Sequence, residues 1–413
     1  MTQSTITAVS VSNAIAFAPQ SNRPISVPSI ELSLSDGTQF KSACILTGTE
    51  SLQKGSRTII KAKLEQILIG RKVTAAEYIE TCDQIGTATY TMQEMRLPDP
   101  VEKSTEALQK ESRREMLSMI GMMDPIEPEP VLTDIHYPMP PHIVRGATAA
   151  LLLASAHAGN TTPSAMVRTL LPDSHKNDND AHLNIGLHVD MAEHGPLIRH
   201  AAAMYYPVPA AAGADSLGAT AEKFQRYLRQ LGEWIAQSWQ NFEPEKRPSL
   251  FVDLNGATHR LVNEQVARTM GTLFGFGKTG DEQKMIFANA VINESALKTA
   301  NDQTYLQSLL KSKKLKMRLA AGEWTNTREN VSIWLEKCKP QLIVLKLNET
   351  ANLGELISMI SDIYAHDTDL ILVGSDGGNE HSWAVLHEIA AGASPEFYVP
   401  AGGLRGAVQA INR

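Results

Sequence analysis

QLIVLKLNETANLGELISMISDIYAHDTDLILVGSDGGNEHSWAVLHEIAAGASPEFYV, residues 341–399, repeats one pattern. A short apolar run, QLIVLKLN, is followed by an amphipathic stretch, LGELISMISDIYA. DLILVGSD and SWAVLHEIAAGA repeat the pair, and EFYVPA begins a third. Continuous apolar strands between amphipathic helices imply a parallel sheet buried on both faces. The same alternation runs outward. Upstream lie LFVDLN, an amphipathic stretch through about Leu273, KMIFANAV, TYLQSLLKSKK, MRLAAGE and ENVSIWLEKCK; downstream lies LRGAVQAIN. Five or more successive units point to a barrel, with an open doubly wound sheet as the rival.

A barrel carries its site at the C-terminal ends of its strands. That rule selects Asp253, Asn255, Asn289, Glu323, Lys346, Asn348 and Asp376. Lys346 follows the apolar run LIVL, where desolvation lowers a lysine's pKa and makes it a candidate base. The competing reading is a lysine snorkelling out from a strand end. Glu323 lies one residue beyond Gly322, so strand alternation points it to the other side.

The first part of the chain reads differently. SIELSLSDGTQF alternates and turns at Asp36-Gly37, a strong hairpin signal. TIIKAKLEQILIG and TAAEYIETCDQIG are helical, with Thr74 and Glu77 spaced as in a capping box. From about Met92 to Pro141 the chain is rich in Pro, Glu and Met, and regular structure is expected to lapse. This stretch is an insertion that contacts a partner, forms a flap, or does nothing. Two helices follow, through about Leu171. The division expected is 1–175, an α+β unit with an insertion at about 92–141, and 176–413, the strand–helix repeat.

Composition narrows the function classes. A chain of 413 residues, 43% apolar and 20% charged with a net charge of −7, is of ordinary globular make-up. It shows no clustered basic face, which argues against nucleic acid. No run of 18 apolar residues exists; HIVRGATAALLLASAHAG is interrupted by Arg145 and His157 and reads as a buried helix, not a membrane span. Cys44, Cys82 and Cys338 are far apart and lack a CxxC, as reduced thiols of a cytoplasmic protein would be. The N-terminus lacks the basic and apolar regions of a signal peptide.

GEWTNTRENVSIWLEKCKPQLIVLKLN resembles the corresponding stretch of the methylaspartate ammonia-lyases, members of the enolase superfamily. FVDLNGA, GGNEHSWAV and AGGLRGAV resemble it too, as do SIELSLSDGTQF and KAKLEQILIGRKVTA toward the N-terminus. The resemblance implies a (β/α)7β TIM-like barrel with an N-terminal α+β capping domain, and a homodimer. It implies removal of ammonia from 3-methylaspartate, a small anionic amino acid, to give mesaconate. A lysine takes a proton beside a carboxylate, Mg²⁺ stabilises the enolate, and a histidine serves the opposite face. Lys346 falls on the lysine position and His200, in LIRHAAAM, on the histidine position. Asp253 falls on the first Mg²⁺ ligand. Asn289 stands where the family has a glutamate ligand, and Gly322 where it has an aspartate. His188, in NIGLHVD, aligns with a substrate-binding glutamine. Asn348 lies in a Leu-Asn pair replacing the family's Thr-Pro, and Gly377 and Gly378 replace a Thr-Cys pair. Mg²⁺ prefers charged oxygens, so two lost carboxylates should weaken it severely. Three functions fit: a divergent carbon–nitrogen lyase or related enolate-forming enzyme, a metal-independent enzyme on the same scaffold, and a non-catalytic protein that binds a ligand or an active paralogue. The stretch 92–141 is the expected surface for a protein partner.

Overall fold

The computed structural model describes residues 4–17, 24–43, 52, 55–96, 131–172, 183–188, 202–207, 248–256, 285–314, 318–347, 349–374 and 380–400, with positions 226, 230, 233, 237 and 243. Two antiparallel pieces come first. Strands β1 (Ile6–Phe17), β2 (Pro24–Leu34) and β3 (Gln39–Ala43) form a three-stranded sheet in that order. The expected hairpin is β2–β3. Gly37 takes φ 86°, and Asp36 accepts from the Thr38 amide at 2.9 Å. Strand β1 was not legible beforehand, because its alternation is diluted by small residues: among its described side chains, Ile6 and Val9 are the buried apolar anchors.

Helices α1 (Ser56–Leu68) and α2 (Ala75–Gly86) follow, and the Thr74 hydroxyl caps α2 by accepting from the Glu77 amide. Strands β4 (Thr89–Arg96) and β5 (Val131–Pro138) then pair antiparallel along their whole length. This corrects the expectation of lapsed structure from about Met92. The stem of the excursion is a ribbon, with Tyr90 and Tyr137 stacked across it. Its intervening residues lie outside the described set. Helices α3 (Pro141–Ala158) and α4 (Pro163–Thr169) close this half.

The second half is α/β. Strands β6 (Gly186–His188), β7 (Ala203–Pro207), β8 (Ser249–Asp253), β9 (Met285–Ala288), β10 (Arg318–Ala321), β11 (Leu342–Lys346), β12 (Asp369–Val373) and β13 (Phe397–Val399) form one parallel sheet in sequence order. Its two ends meet: Ile185 bridges Tyr398, and the Tyr398 amide donates to the Asn184 carbonyl at 2.8 Å. The described helices between the strands are α5 (Ala296–Ser312), α6 (Arg328–Ile333, continuing as a π-helical turn over Trp334–Cys338), α7 (Leu353–Ala365) and α8 (Glu380–Ala393). Ser295, Thr327 and Asn352 cap α5, α6 and α7 by accepting backbone N–H groups. The expected helix LRGAVQAIN and the stretch before Leu273 lie outside the described residues.

Strand alternation sorts the sheet's side chains into two cores. Phe251, Ile286, Ala288, Ala320, Leu342, Val344, Ile371, Phe397 and Val399 pack together on one face. Ala321, Ile343, Leu345, Leu370, Leu372 and Tyr398 join the helices on the other, in a core that runs on into α1–α4 and the N-terminal sheet. Close approach locks the halves: a Cβ on Gly354 of α7 would lie 2.5 Å from the Cys82 Cβ of α2. Lys346 is two residues beyond Val344 and Asp253 two beyond Phe251, so both end their strands on the first face. Among the described residues no helix is long and apolar enough to cross a membrane.

Candidate active site

Four adjacent strand ends bring together Asp253, Asn289, Gly322 and Lys346 or their immediate surroundings. Asp253 ends β8 and is 5% exposed. Its carboxylate accepts the Asn289 side-chain amide on both oxygens, at 3.0 and 3.1 Å, and the Asn255 backbone amide at 3.0 Å. Asn289 follows Ala288, which faces the first core, so alternation alone would turn its side chain away. Its φ of 50° does the reverse. Asparagine is among the few residues that take the left-handed region readily. The twist swings the amide onto Asp253, while the Asn289 carbonyl accepts from Gly256 at 2.7 Å.

Gly322 completes the arrangement by what it lacks. A Cβ there would lie 2.8 Å from the Asn289 side-chain oxygen and 3.2 Å from the Val344 Cβ. The amide therefore fills the space that a longer side chain at 322 would take. Asn289 is 3% exposed, and its side-chain oxygen has no hydrogen-bond partner among the described residues. Turning the amide over would set a carbonyl oxygen against two carboxylate oxygens. The orientation with N–H₂ toward Asp253 is thus the one that electrostatics favours in this donor set.

The Asn289 amide points its N–H groups, not its oxygen, at the Asp253 carboxylate. An ion shared by Asp253 and Asn289 needs oxygen lone pairs where the amide presents N–H donors, and Gly322 offers no ligand. No group of three or more His, Cys, Asp or Glu able to hold a metal gathers among the described residues.

Lys346 has different neighbours from those its sequence context suggested. Its ammonium lies 3.2 Å from the Glu349 carboxylate and 3.3 Å from that of Glu323, with the side chain 26% exposed. Burial pulls its pKa down, but Glu349 and Glu323 together outweigh it, and the net shift is upward. Desolvation alone would favour a neutral lysine; here the ammonium is held between two carboxylates. Glu323 faces Lys346 rather than the opposite side because β10 ends at Ala321 and the chain turns at once, with Trp324 at φ 57°.

The EWTNT segment fixes that turn. The Trp334 indole donates to the Glu323 carbonyl and the Trp324 indole to that of Asn293, each at 3.0 Å. Thr325 donates to the Val344 carbonyl at 2.8 Å, tying the turn to β11. From below, the Arg145 guanidinium donates to the Leu347 carbonyl, one residue past Lys346. Arg145 is buried in α3, and its Nη1 has no partner among the described residues. Burial pushes its pKa down to about 10, against a smaller opposing effect of Tyr78.

Of the sequence-selected residues, the structure thus joins Asp253, Asn289 and Gly322, and sets Lys346 beside Glu323. His188 ends β6, its backbone in register with Tyr205. His200, Asn348, Gly377 and Gly378 lie outside the described residues, as does the side chain of His188. Glu349 and Arg145 were missed. Arg145 had left a signal, a lone cation in the apolar run of α3; Glu349, three residues past Lys346, had left none.

Comparison with known proteins bears on this arrangement. A family profile described as methylaspartate ammonia-lyase C-terminus matches residues 193–406, just over half of the chain. No curated protein matches in sequence. Among solved structures, β-methylaspartase from Clostridium tetanomorphum, in a Mg complex, has a TM-score of 0.68 at 15% identity, over 99% of this chain and 96% of that one. Methylaspartate ammonia lyase from Citrobacter amalonaticus, containing (2S,3S)-3-methylaspartic acid, has 0.69 at 13%, over 99% and 96%. A mandelate racemase/muconate lactonizing protein from Herpetosiphon aurantiacus has 0.57 at 14%, over 96% and 88%. These likenesses are of fold.

Proposed function

The chain belongs to the methylaspartate ammonia-lyase family, in the enolase superfamily, and on that premise we propose that it is a carbon–nitrogen lyase that acts on a small anionic amino acid without Mg²⁺. The observation that carries this reading is the Lys346 ammonium at the end of β11, set between Glu323 and Glu349. An amino acid brings a carboxylate and an ammonium of its own. Its carboxylate matches Lys346, and its ammonium matches the two glutamates. These charges match the zwitterionic part of the amino acid, and its second carboxylate falls to other groups of the pocket.

The step proposed is removal of a proton from the carbon beside a carboxylate, followed by breakage of the adjacent C–N bond. The electron pair of the C–H bond builds charge on the carboxylate, then forms the C=C bond as the amine leaves. Lys346, protonated at neutral pH, stabilises that charge as a fixed cation in a half-buried site. The substrate's ammonium leaves as neutral ammonia, taking the C–N electron pair, and Lys346 keeps its proton throughout. His200 takes the proton from carbon. This exchanges the two roles that the resemblance alone implies, because a lysine whose pKa is raised is a poor base. His188 and Asn348, with the backbone of Gly377 and Gly378, complete the substrate pocket in this reading.

The remaining parts of the reading follow the same premise. The sheet closes as a (β/α)7β barrel, supported by the Ile185–Tyr398 bridge. The N-terminal elements to about residue 175 act as its cap. The protein is a cytoplasmic homodimer, and residues 92–141 offer a surface to a protein partner.

Lys346→Arg and Lys346→Met test the assignment, with ammonia release from 3-methylaspartate as the assay. A cationic role leaves Lys346→Arg with measurable turnover and lowers Lys346→Met by at least about 100-fold. Equal turnover in wild type and Lys346→Met sinks it. The Asp253–Asn289 contact favours a second reading, a non-catalytic protein that binds such an amino acid. Calorimetric binding of 3-methylaspartate with no turnover in any form of the protein would select that one.

A further inference from the structure

We propose that Asp253, Asn289 and Gly322 are a divalent-cation site closed by an amide, one isosteric substitution away from binding an ion. Asn289 Nδ2 sits in the fork of the Asp253 carboxylate, 3.0 Å from one oxygen and 3.1 Å from the other. A bidentate cation occupies the same direction from a carboxylate, at a shorter distance. The amide is therefore a neutral stand-in, donating two-centre hydrogen bonds where an ion would be coordinated.

Two features make the position convertible. The Asn289 backbone is pinned on both sides, its amide donating to Ala320 at 3.3 Å and its carbonyl accepting from Gly256 at 2.7 Å. Aspartate has the same shape as asparagine and tolerates the same left-handed backbone. Asn289→Asp thus sets a second carboxylate against Asp253 without asking the chain to move. Two carboxylates at this separation cannot both stay ionised unless a proton or a cation lies between them. The side-chain oxygen of Asn289, without a partner among the described residues, marks the cost at which the amide is now held.

This inference concerns cation binding only and holds whether or not the chain turns over an amino acid. It is tested with Mn²⁺ titration followed by electron paramagnetic resonance, and with thermal melting in chelator, Mg²⁺ or Mn²⁺. Wild type is expected to bind no Mn²⁺ at millimolar concentration and to melt at one temperature throughout. Asn289→Asp is expected to bind one Mn²⁺, to melt several degrees lower in chelator, and to recover with either ion. Adding Asp253→Asn to that variant should abolish binding. Wild-type Mn²⁺ binding that is lost in Asp253→Asn would overturn the proposal, because the amide would then not exclude the ion. So would Asn289→Asp protein that gains no binding, or that unfolds and is not rescued by either ion.

Discussion

Arg145→Met asks whether the buried guanidinium under β11 stabilises the fold or is carried at a cost. Arg145 is 6% exposed, has one donor on the Leu347 carbonyl, and leaves Nη1 unpaired among the described residues. Its pKa is pushed down from the usual guanidinium value to about 10, chiefly by burial. Each unit is worth about 1.4 kcal/mol, so keeping the charge buried costs about 3 kcal/mol. Methionine fills a similar volume and removes that cost. It also leaves the Leu347 carbonyl without its donor, which costs about 1–3 kcal/mol. The two nearly cancel, so Arg145→Met should lie within about 1.5 kcal/mol of wild type. Arg145→Ala adds a cavity and should fall a further 2–4 kcal/mol, roughly, below Arg145→Met. Urea unfolding at pH 7, with circular dichroism and fluorescence followed together, measures both. A loss of more than about 3 kcal/mol in Arg145→Met would refute the reasoning, because it would mean that the guanidinium is net stabilising.

Other consequences are open to direct measurement. Trp334→Phe removes the donor to the Glu323 carbonyl and should cost about 1–3 kcal/mol in urea unfolding, and a change below about 0.5 kcal/mol would show that this bond does not hold the turn. Gly354→Ala forces a Cβ to within 2.5 Å of the Cys82 Cβ; it should cost about 1–3 kcal/mol, read as a lower melting temperature, and an unchanged melt would show that α2 and α7 separate freely. Cys82 and Cys338 are buried free thiols, and burial pushes that of Cys338 up to about 11. Native protein at pH 8 should therefore react with a disulfide reagent at these two positions only on unfolding, and rapid labelling of either would contradict their burial. For Cys338 the unfolded thiol loses its proton near 9 and the folded one near 11, so its contribution to stability falls as pH rises through that window.

The strand–helix repeat was legible because each strand of residues 250–399 is apolar on both faces and each helix is not. Periodicity carries that information directly. The positions of Asp253 and Lys346 followed from it, since alternation fixes which side a strand's last residue takes. Glu323 and Asn289 did not, because each lies past the end of its strand. There the backbone turn, at Trp324 and at Asn289 itself, decides where the side chain goes, and single-residue left-handed turns leave only weak marks in sequence. The charge state of Lys346 was lost for the same reason. Its apolar flank suggested desolvation, but the two carboxylates that dominate come from the turn after β10 and from the loop after β11. The β4–β5 ribbon was obscured by the proline-rich residues that it encloses, although Thr89–Arg96 alternates in burial over its first six residues.

Turnover of 3-methylaspartate by wild-type protein stripped with a chelator, assayed beside the same protein with added Mg²⁺, tests the central claim most directly. The account predicts ammonia release at the same rate in both, and its loss in Lys346→Met. Activity that appears only with Mg²⁺ would contradict it, since an ion would then be doing what the Lys346 ammonium is held to do.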